Sequence, residues 1–216
     1  MSNLENKFEI INMAPANTTS VLLARGDRCV IFDPWGRADD WVKLLSERGL
    51  KPHAIWATHG HPDHISAAPE LAARYGIDWY LSHDDLDLIE WGNGLLEYFG
   101  LPIIESNYKK PKDIQPGEHE VIPGVNAHAI HIPGHTRGGM ALWFPDDAII
   151  LVGDTLFQDS YGRPDLPGGN EVELFESLQK LYNLDLSDDT IVVHGHGPHT
   201  TIGWLKQNNR FFGNRK

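Results

Sequence analysis

The spacing of apolar positions changes period several times along the first hundred residues. Residues 8–13, 19–24 and 28–33 are short apolar runs parted by turn residues such as Arg25-Gly26-Asp27, and they predict three strands in a hairpin-rich sheet. The spacing then turns helical over 38–48, where Trp41, Leu44 and Leu45 share a stripe that Gly49 ends. A buried strand at 54–57, a helix at 66–75 and a strand at 79–82 complete a β, α, β, α, β succession. A helix over 84–99 is supported by Leu86, Ile89, Leu95 and Phe99 but weakened in its middle by Gly92 and Gly94. Residues 100–115, rich in Pro and Lys, read as a long loop, and Lys109, Lys110 and Lys112 in it fit a solvated surface better than a cover over substrate.

The second half again delivers strands into loops. Residues 125–132 alternate as a strand does, 140–144 and 148–152 form a hairpin about Pro145-Asp146-Asp147, and 190–193 is a last buried strand. Between them 173–182 is helical, with Leu174, Leu178 and Leu181 on one stripe, and 204–209 allows one short helix. His128 and His131 fall on opposite faces of their strand, which fits satisfied structural histidines.

Bulk properties narrow the class. A chain of 216 residues with 41% apolar residues suits one compact domain spanning 1–216. A net charge of −12 argues against a nucleic-acid surface, because phosphate contacts come from Lys and Arg. The single cysteine, Cys29, lies in a predicted strand as a buried thiol, so neither an intramolecular disulfide nor thiolate metal ligands are available. The start, MSNLENKFEI, lacks a leader pattern, and no run approaches the roughly 18 apolar residues of a membrane span. A soluble, cytoplasmic protein without membrane partners is the expectation.

The chemistry concentrates where strands end. Thr58-His59-Gly60-His61-Pro62-Asp63-His64 sits in a strand-to-helix loop and crowds three imidazoles and a carboxylate, which folding alone gives no reason to accept. Imidazole nitrogen and carboxylate oxygen are ligands for zinc and similar divalent ions. His59 and His61 can point to one ion while Asp63 and His64 turn to another. His135 lies in Pro133-Gly134-His135-Thr136-Arg137-Gly138-Gly139, Asp154 follows an apolar strand in Gly153-Asp154-Thr155, and His194-Gly195-His196-Gly197-Pro198-His199 closes the last strand. Asp154 can bridge two cations or cap a helix. Asp33, at a strand end beside Pro34, is either a turn residue or a carboxylate that orients a ligand histidine.

Taken in order, THGHPDH, PGHTRGG, GDTLF and HGHGPHTTIG resemble the metallo-β-lactamase superfamily, and within it the glyoxalase II (hydroxyacylglutathione hydrolase) branch. Gly162-Arg163-Pro164-Asp165 after GDTLF is similar to that branch and to the related persulfide dioxygenases. The resemblance implies a four-layer αββα sandwich of α/β class with two divalent ions, zinc first and iron or manganese as alternatives. It implies His59, His61 and His135 on one ion, Asp63, His64 and His196 on the other, and Asp154 bridging. Asp63 would also orient the nucleophile, a hydroxide held at the metals that attacks a thioester of a small molecule of the S-(2-hydroxyacyl)glutathione type. Asp33 and Asp165 would support ligands from behind, and Tyr161 or Arg163 would lie near substrate or pack the loop.

Some positions depart from the pattern. His194 stands where relatives usually carry Pro, which leaves its role open, and Arg137 replaces a more usual Pro in a way that alters access or anion recognition. No counterpart is expected here of the C-terminal helical domain that binds glutathione in full-length glyoxalase II, so the resemblance is closer to the short single-domain relatives. Alternatives within the resemblance are an iron-dependent persulfide dioxygenase, with two His and one Asp on a single ion, and a lactonase or other ester hydrolase. A non-catalytic metal-binding module would be expected to lose ligand positions, and all seven are retained.

Overall fold

The computed structural model describes residues 5–14 and 16–213. Two mixed sheets lie face to face with helices on both outer sides, giving the αββα layering. The first sheet holds β1 (Lys7–Met13), β2 (Thr18–Arg25), β3 (Arg28–Phe32), β4 (Lys51–Trp56) and β5 (Asp78–Tyr80) in sequence order. Its first three strands form antiparallel hairpins, whereas β3, β4 and β5 run parallel. The parallel part needs crossovers, supplied by α1 (Ala38–Glu47), the short α2 (Pro62–Ile65) and α3 (Ala68–Tyr75).

After β5 come α4 (Leu86–Trp91) and α5 (Asn93–Tyr98), which take the place of the single helix expected over 84–99. The division falls at Gly92, where a Cβ would lie 2.8 Å from the Pro62 side chain, so close docking on α2 requires the glycine. The second sheet contains β6 (Gly117–Ile122), β7 (Val125–His131), β8 (Met140–Phe144), β9 (Ile149–Gly153), β10 (Ile191–His194) and β11 (Thr200–Thr201). β6 through β9 are an antiparallel meander, and β10 adds parallel to β9. α6 (Glu171–Tyr182) is the crossover, and α7 (Ile202–Asn208) follows the last strand. Residues 100–115 are largely irregular, with one bridge between Tyr80 and Lys112. Lys109 and Lys112 turn to Asp78 and Lys110 lies over Tyr108, which ties the basic cluster to the sheet end.

The helix ends follow from sequence. α1 carries Asp39 and Asp40 in its first turn, where the helix dipole favours them, and stops at Gly49 (φ 64°) with Leu50 N–H returning to Leu45 O. α3 stops in the same way at Gly76. The Asn170 side chain accepts from Val172 and Glu173 N–H to start α6.

The core forms three layers of contacts. Val21, Leu23, Val30, Phe32 and Trp56 of one sheet meet Ala127, Leu142, Phe144 and Leu151 of the other. Trp41, Leu45, Leu71 and Trp79 fill the space between the first sheet and its helices, and Leu178, Leu181 and Leu205 do so for the second.

Cys29 is fully buried on β3. Burial pushes its thiol up to about 12 from an ordinary 9.0. The folded chain therefore keeps a proton that the unfolded chain gives up, so this contribution is complete below pH 9 and is lost as pH rises from 9 toward 12. A thiol reagent is expected to find no reactive sulfur in the folded protein and one after denaturation. Cys29→Ala should flatten the alkaline decline in unfolding free energy by up to about 1.4 kcal/mol per pH unit, and an unchanged slope would contradict this assignment.

Candidate metal centre

The strand ends that carry histidines and aspartates meet at one edge of the sandwich. Backbone bonds join the two sheets there: Met140 N–H donates to Thr58 O at 2.8 Å, and Thr19 N–H to Gly195 O at 2.7 Å. Thr58 and Gly195 both belong to loops that bear the expected ligands. His59 and His61 follow β4, Asp63 and His64 ride on α2, His135 follows β7, Asp154 follows β9 and His196 follows β10.

Their donor atoms form overlapping sets. His59, His61 and His135 each present an atom within 4.8 Å of the others, and so do His59, His64 and Asp154, and Asp63, His64 and His196. His61 Nδ1 lies 2.9 Å from His135 Nε2. His196 Nε2 is 3.1 Å from Asp63 Oδ2, and His64 Nε2 is 3.8 Å from the same oxygen. Asp154 lies between the sets, 3.7 Å from His135 Nε2, 3.4 Å from His64 Nε2 and 3.4 Å from His196 Nε2. No helix begins at Asp154 among the described residues, so the helix-cap reading does not apply.

Backbone and buried side chains aim these rings. Asp33 accepts from Thr58 N–H at 2.7 Å and Thr58 Oγ1 at 2.8 Å, and its Oδ2 takes the His64 Nδ1 proton at 3.0 Å. That bond leaves His64 Nε2 toward the centre, the usual way a carboxylate fixes a ligand tautomer. Asp33 pays for the position with φ of 51°, a left-handed conformation that Asp tolerates, and Ser20 Oγ binds its carbonyl at 2.6 Å. The His135 Nδ1 proton goes to Arg163 O at 2.9 Å, and His59 Nδ1 pairs with Thr58 Oγ1 at 3.0 Å.

Two tests show that the pocket suits cations. His59 Nε2, His64 Nε2 and Asp154 Oδ1 are buried and have no partner in hydrogen-bond geometry, a condition that proteins seldom tolerate. The separations of 2.9–3.8 Å also bracket the roughly 3.3 Å expected between two atoms held about 2.05 Å from a tetrahedral ion.

Electrostatics divides the sets. Burial, with His64 and His61 nearby, pushes His59 well below its ordinary value, and burial next to His135 brings His61 down to about 4. Both rings are thus neutral near pH 7, the ligating form. Burial opposes charge on His64 and His196 as well, but carboxylates prevail: Asp154, Asp33 and Asp63 hold His64 well above its usual range, and Asp154 and Asp63 raise His196 to about 9. Burial works against the charges of Asp63 and Asp154 too, yet His64 and His196 hold both below the carboxylate range. This half of the pocket attracts positive charge.

Other expected residues lie elsewhere. Asp165 does not support a ligand: it is exposed and paired with Arg163, because a charge two residues away satisfies it at the surface. Arg163 reaches the centre through its carbonyl rather than its guanidinium. Tyr161 packs on Phe175 and Phe211, the loop-packing alternative. Arg137 is exposed and paired with Asp87. The His128 ring rests against Trp143, and His131 bonds Arg137 O. His194 is buried with Nδ1 on Leu156 O, and burial takes it down to about 4.

Sequence reasoning missed Asp85. This fully buried carboxylate accepts from Gly60 N–H at 2.9 Å, Thr136 Oγ1 at 2.7 Å and Gly138 N–H at 2.7 Å, so it joins the His59–His61 loop to the His135 loop. The only sequence signal was an acidic pair, Asp84-Asp85, at a helix start. Asp85→Ala strands three donors and should cost about 2 kcal/mol of stability. A denaturant titration that finds less than about 0.5 kcal/mol, within the range of a neutral surface change, would contradict this account.

Known proteins resemble this chain over most of its length. A profile of the metallo-beta-lactamase superfamily matches residues 13–196. The hydroxyacylglutathione hydrolase GloC of Haemophilus influenzae is 34% identical over 186 residues, 86% of this chain and 87% of its own. Among solved structures, TTHA1623 in a di-iron-bound form superposes with a TM-score of 0.83 at 32% identity, over 94% of this chain and 99% of that one. The BLEG-1 B3 metallo-beta-lactamase superposes with a TM-score of 0.82 at 31% identity, over 96% and 100%.

Proposed function

This chain belongs to the metallo-β-lactamase superfamily, and on that footing we propose that it is a metal-dependent thioester hydrolase for substrates of the S-(2-hydroxyacyl)glutathione type. His59, His61 and His135 would hold one divalent ion and Asp63, His64 and His196 a second, with Asp154 available to both. The observation that carries the reading is the position of Asp154, within 3.4–3.7 Å of imidazoles from both sets. The similarity to GloC supports the thioester, and the di-iron form of TTHA1623 makes iron, beside zinc and manganese, a candidate metal.

When bound, two divalent ions would supply Lewis acidity to a carbonyl oxygen and lower the pKa of a water toward neutrality. The chain positions the rest. Asp63, which accepts from Thr18 Oγ1 at 3.2 Å, faces the more open side beside His196 and orients the attacking water. Asp33 and Asp85 keep the ligand loops in register, so little reorganisation is needed during reaction. The water oxygen bonds to the acyl carbon as the carbon–sulfur bond breaks, and sulfur leaves with the electron pair. One water proton ends on the thiol and the other passes to solvent, so the products are a carboxylate and a free thiol. A thiolate leaves readily, so the step does not depend on a strong general acid.

The test pairs initial rates on S-lactoylglutathione with oxygen uptake on glutathione persulfide. Thioester turnover without oxygen uptake is expected. Oxygen uptake on the persulfide without thioester turnover would overturn the reading in favour of a dioxygenase.

A further inference from the structure

The rim of the centre carries aromatic surface that thioester cleavage as described does not use. Trp91, at the end of α4, has its ring centre 5.9 Å from that of His61 and stays 46% exposed. Its place is fixed from below, because Gly92 lies directly on Pro62, the first residue of the helix that bears Asp63 and His64. The hydrogen-bond ladder is interrupted after Gly92, but its backbone angles stay in the helical region (φ −68°, ψ −17°), so Leu95 and Tyr98 follow Trp91 at four and seven positions on α5. Leu95 is 37% exposed and Tyr98 82% exposed, so apolar surface continues along α5 beyond Trp91 as a stripe. Across the centre, the Phe157 ring lies 6.3 Å from that of His196, and Asn209 Nδ2 holds its carbonyl at 2.8 Å.

Arg37 stands at the far end of the stripe with its guanidinium on Gly100 O, and the charges nearer Trp91 are negative or paired. Arg137 is tied to Asp87 and Arg163 to Asp165, while Glu90 and Glu97 lie on the same helices as the stripe. Two arms diverge from a thioester carbonyl. A glutathione arm brings two carboxylates and an ammonium, which the apolar face of Trp91 does not hold, whereas an uncharged ring finds an aromatic face there.

We propose that Trp91, with Leu95 and Tyr98 beyond it, receives the acyl substituent, and that the enzyme prefers 2-hydroxyacyl thioesters bearing an aromatic group over the methyl-bearing lactoyl group. This specificity rests on the thioesterase reading above. The step is the same hydrolysis, with water oxygen joining the acyl carbon as sulfur departs.

The experiment compares S-mandeloylglutathione with S-lactoylglutathione, which share a carrier and exchange phenyl for methyl. It uses the metal-replete full chain, and each kcat/KM is divided by the hydroxide-catalysed rate of that thioester. The mandeloyl-to-lactoyl ratio is expected to be about ten in the wild type, near one in Trp91→Ala and close to the wild-type ratio in Trp91→Phe. The Phe variant keeps an aromatic face and guards against a general loss of folding in the Ala variant. Turnover of both thioesters with a wild-type ratio near one, or a ratio that Trp91→Ala leaves unchanged, overturns the specificity alone. Absence of turnover on either thioester overturns the thioesterase reading and the specificity with it.

Discussion

Asp154→Ala is expected to lower kcat/KM at least about a thousandfold, close to 4 kcal/mol of transition-state stabilisation. The carboxylate lies between the all-imidazole set and the set that contains Asp63, and it favours the charged forms of His64 and His196. Its removal should therefore reduce the metal content along with the rate. Asp154→Asn keeps the shape and removes the charge, and should sit nearer the Ala variant than the wild type. Steady-state rates with elemental analysis of the same samples check this, and a variant with near wild-type rate and metal content would refute the shared role.

Gly195→Ala is expected to cost about a hundredfold in kcat/KM while the fold survives, on the scale of a misplacement of about 1 Å. A Cβ at this position would lie 1.9 Å from Asp154 Oδ1 and 2.8 Å from His64 Cε1. The backbone cannot step aside, because Gly195 N–H donates to Gly153 O at 2.9 Å and its carbonyl accepts from Thr19. The displaced group must be the aspartate. Gly197 supplies the control: it has φ of 81° but nothing within 4 Å of an added Cβ, so Gly197→Ala should cost about 1 kcal/mol in stability and little activity. Equal activity losses in the two variants would contradict the steric account.

What could be read from sequence depended on how local the signal was. The succession of strands and helices follows from apolar periods visible within a few residues, whereas the αββα layering was implied by the family resemblance that the strand-end motifs carry. Asp33 kept two readings in the sequence, and the bond to His64 selects the orienting one. The edge strand β6 was missed because its residues, Gly-Glu-His-Glu-Val-Ile, are mostly polar and become a strand only through pairing with β7. The helix over 84–99 broke where α2 presses against Gly92, a contact between segments thirty residues apart in sequence. Asp85 shows the same limit, since an acidic residue at a helix start is ordinary until docking buries it between two histidine loops. Asp165 shows the reverse: a carboxylate near a ligand motif found an arginine two residues away and stayed at the surface.

A metal titration tests the central claim most directly. Chelator-stripped protein is titrated separately with zinc, iron(II) or manganese(II) while S-lactoylglutathione hydrolysis is followed and bound metal is counted. The account predicts that activity rises until two ions are bound per chain. Full activity at one bound ion, or two bound ions without thioester hydrolysis, would contradict it.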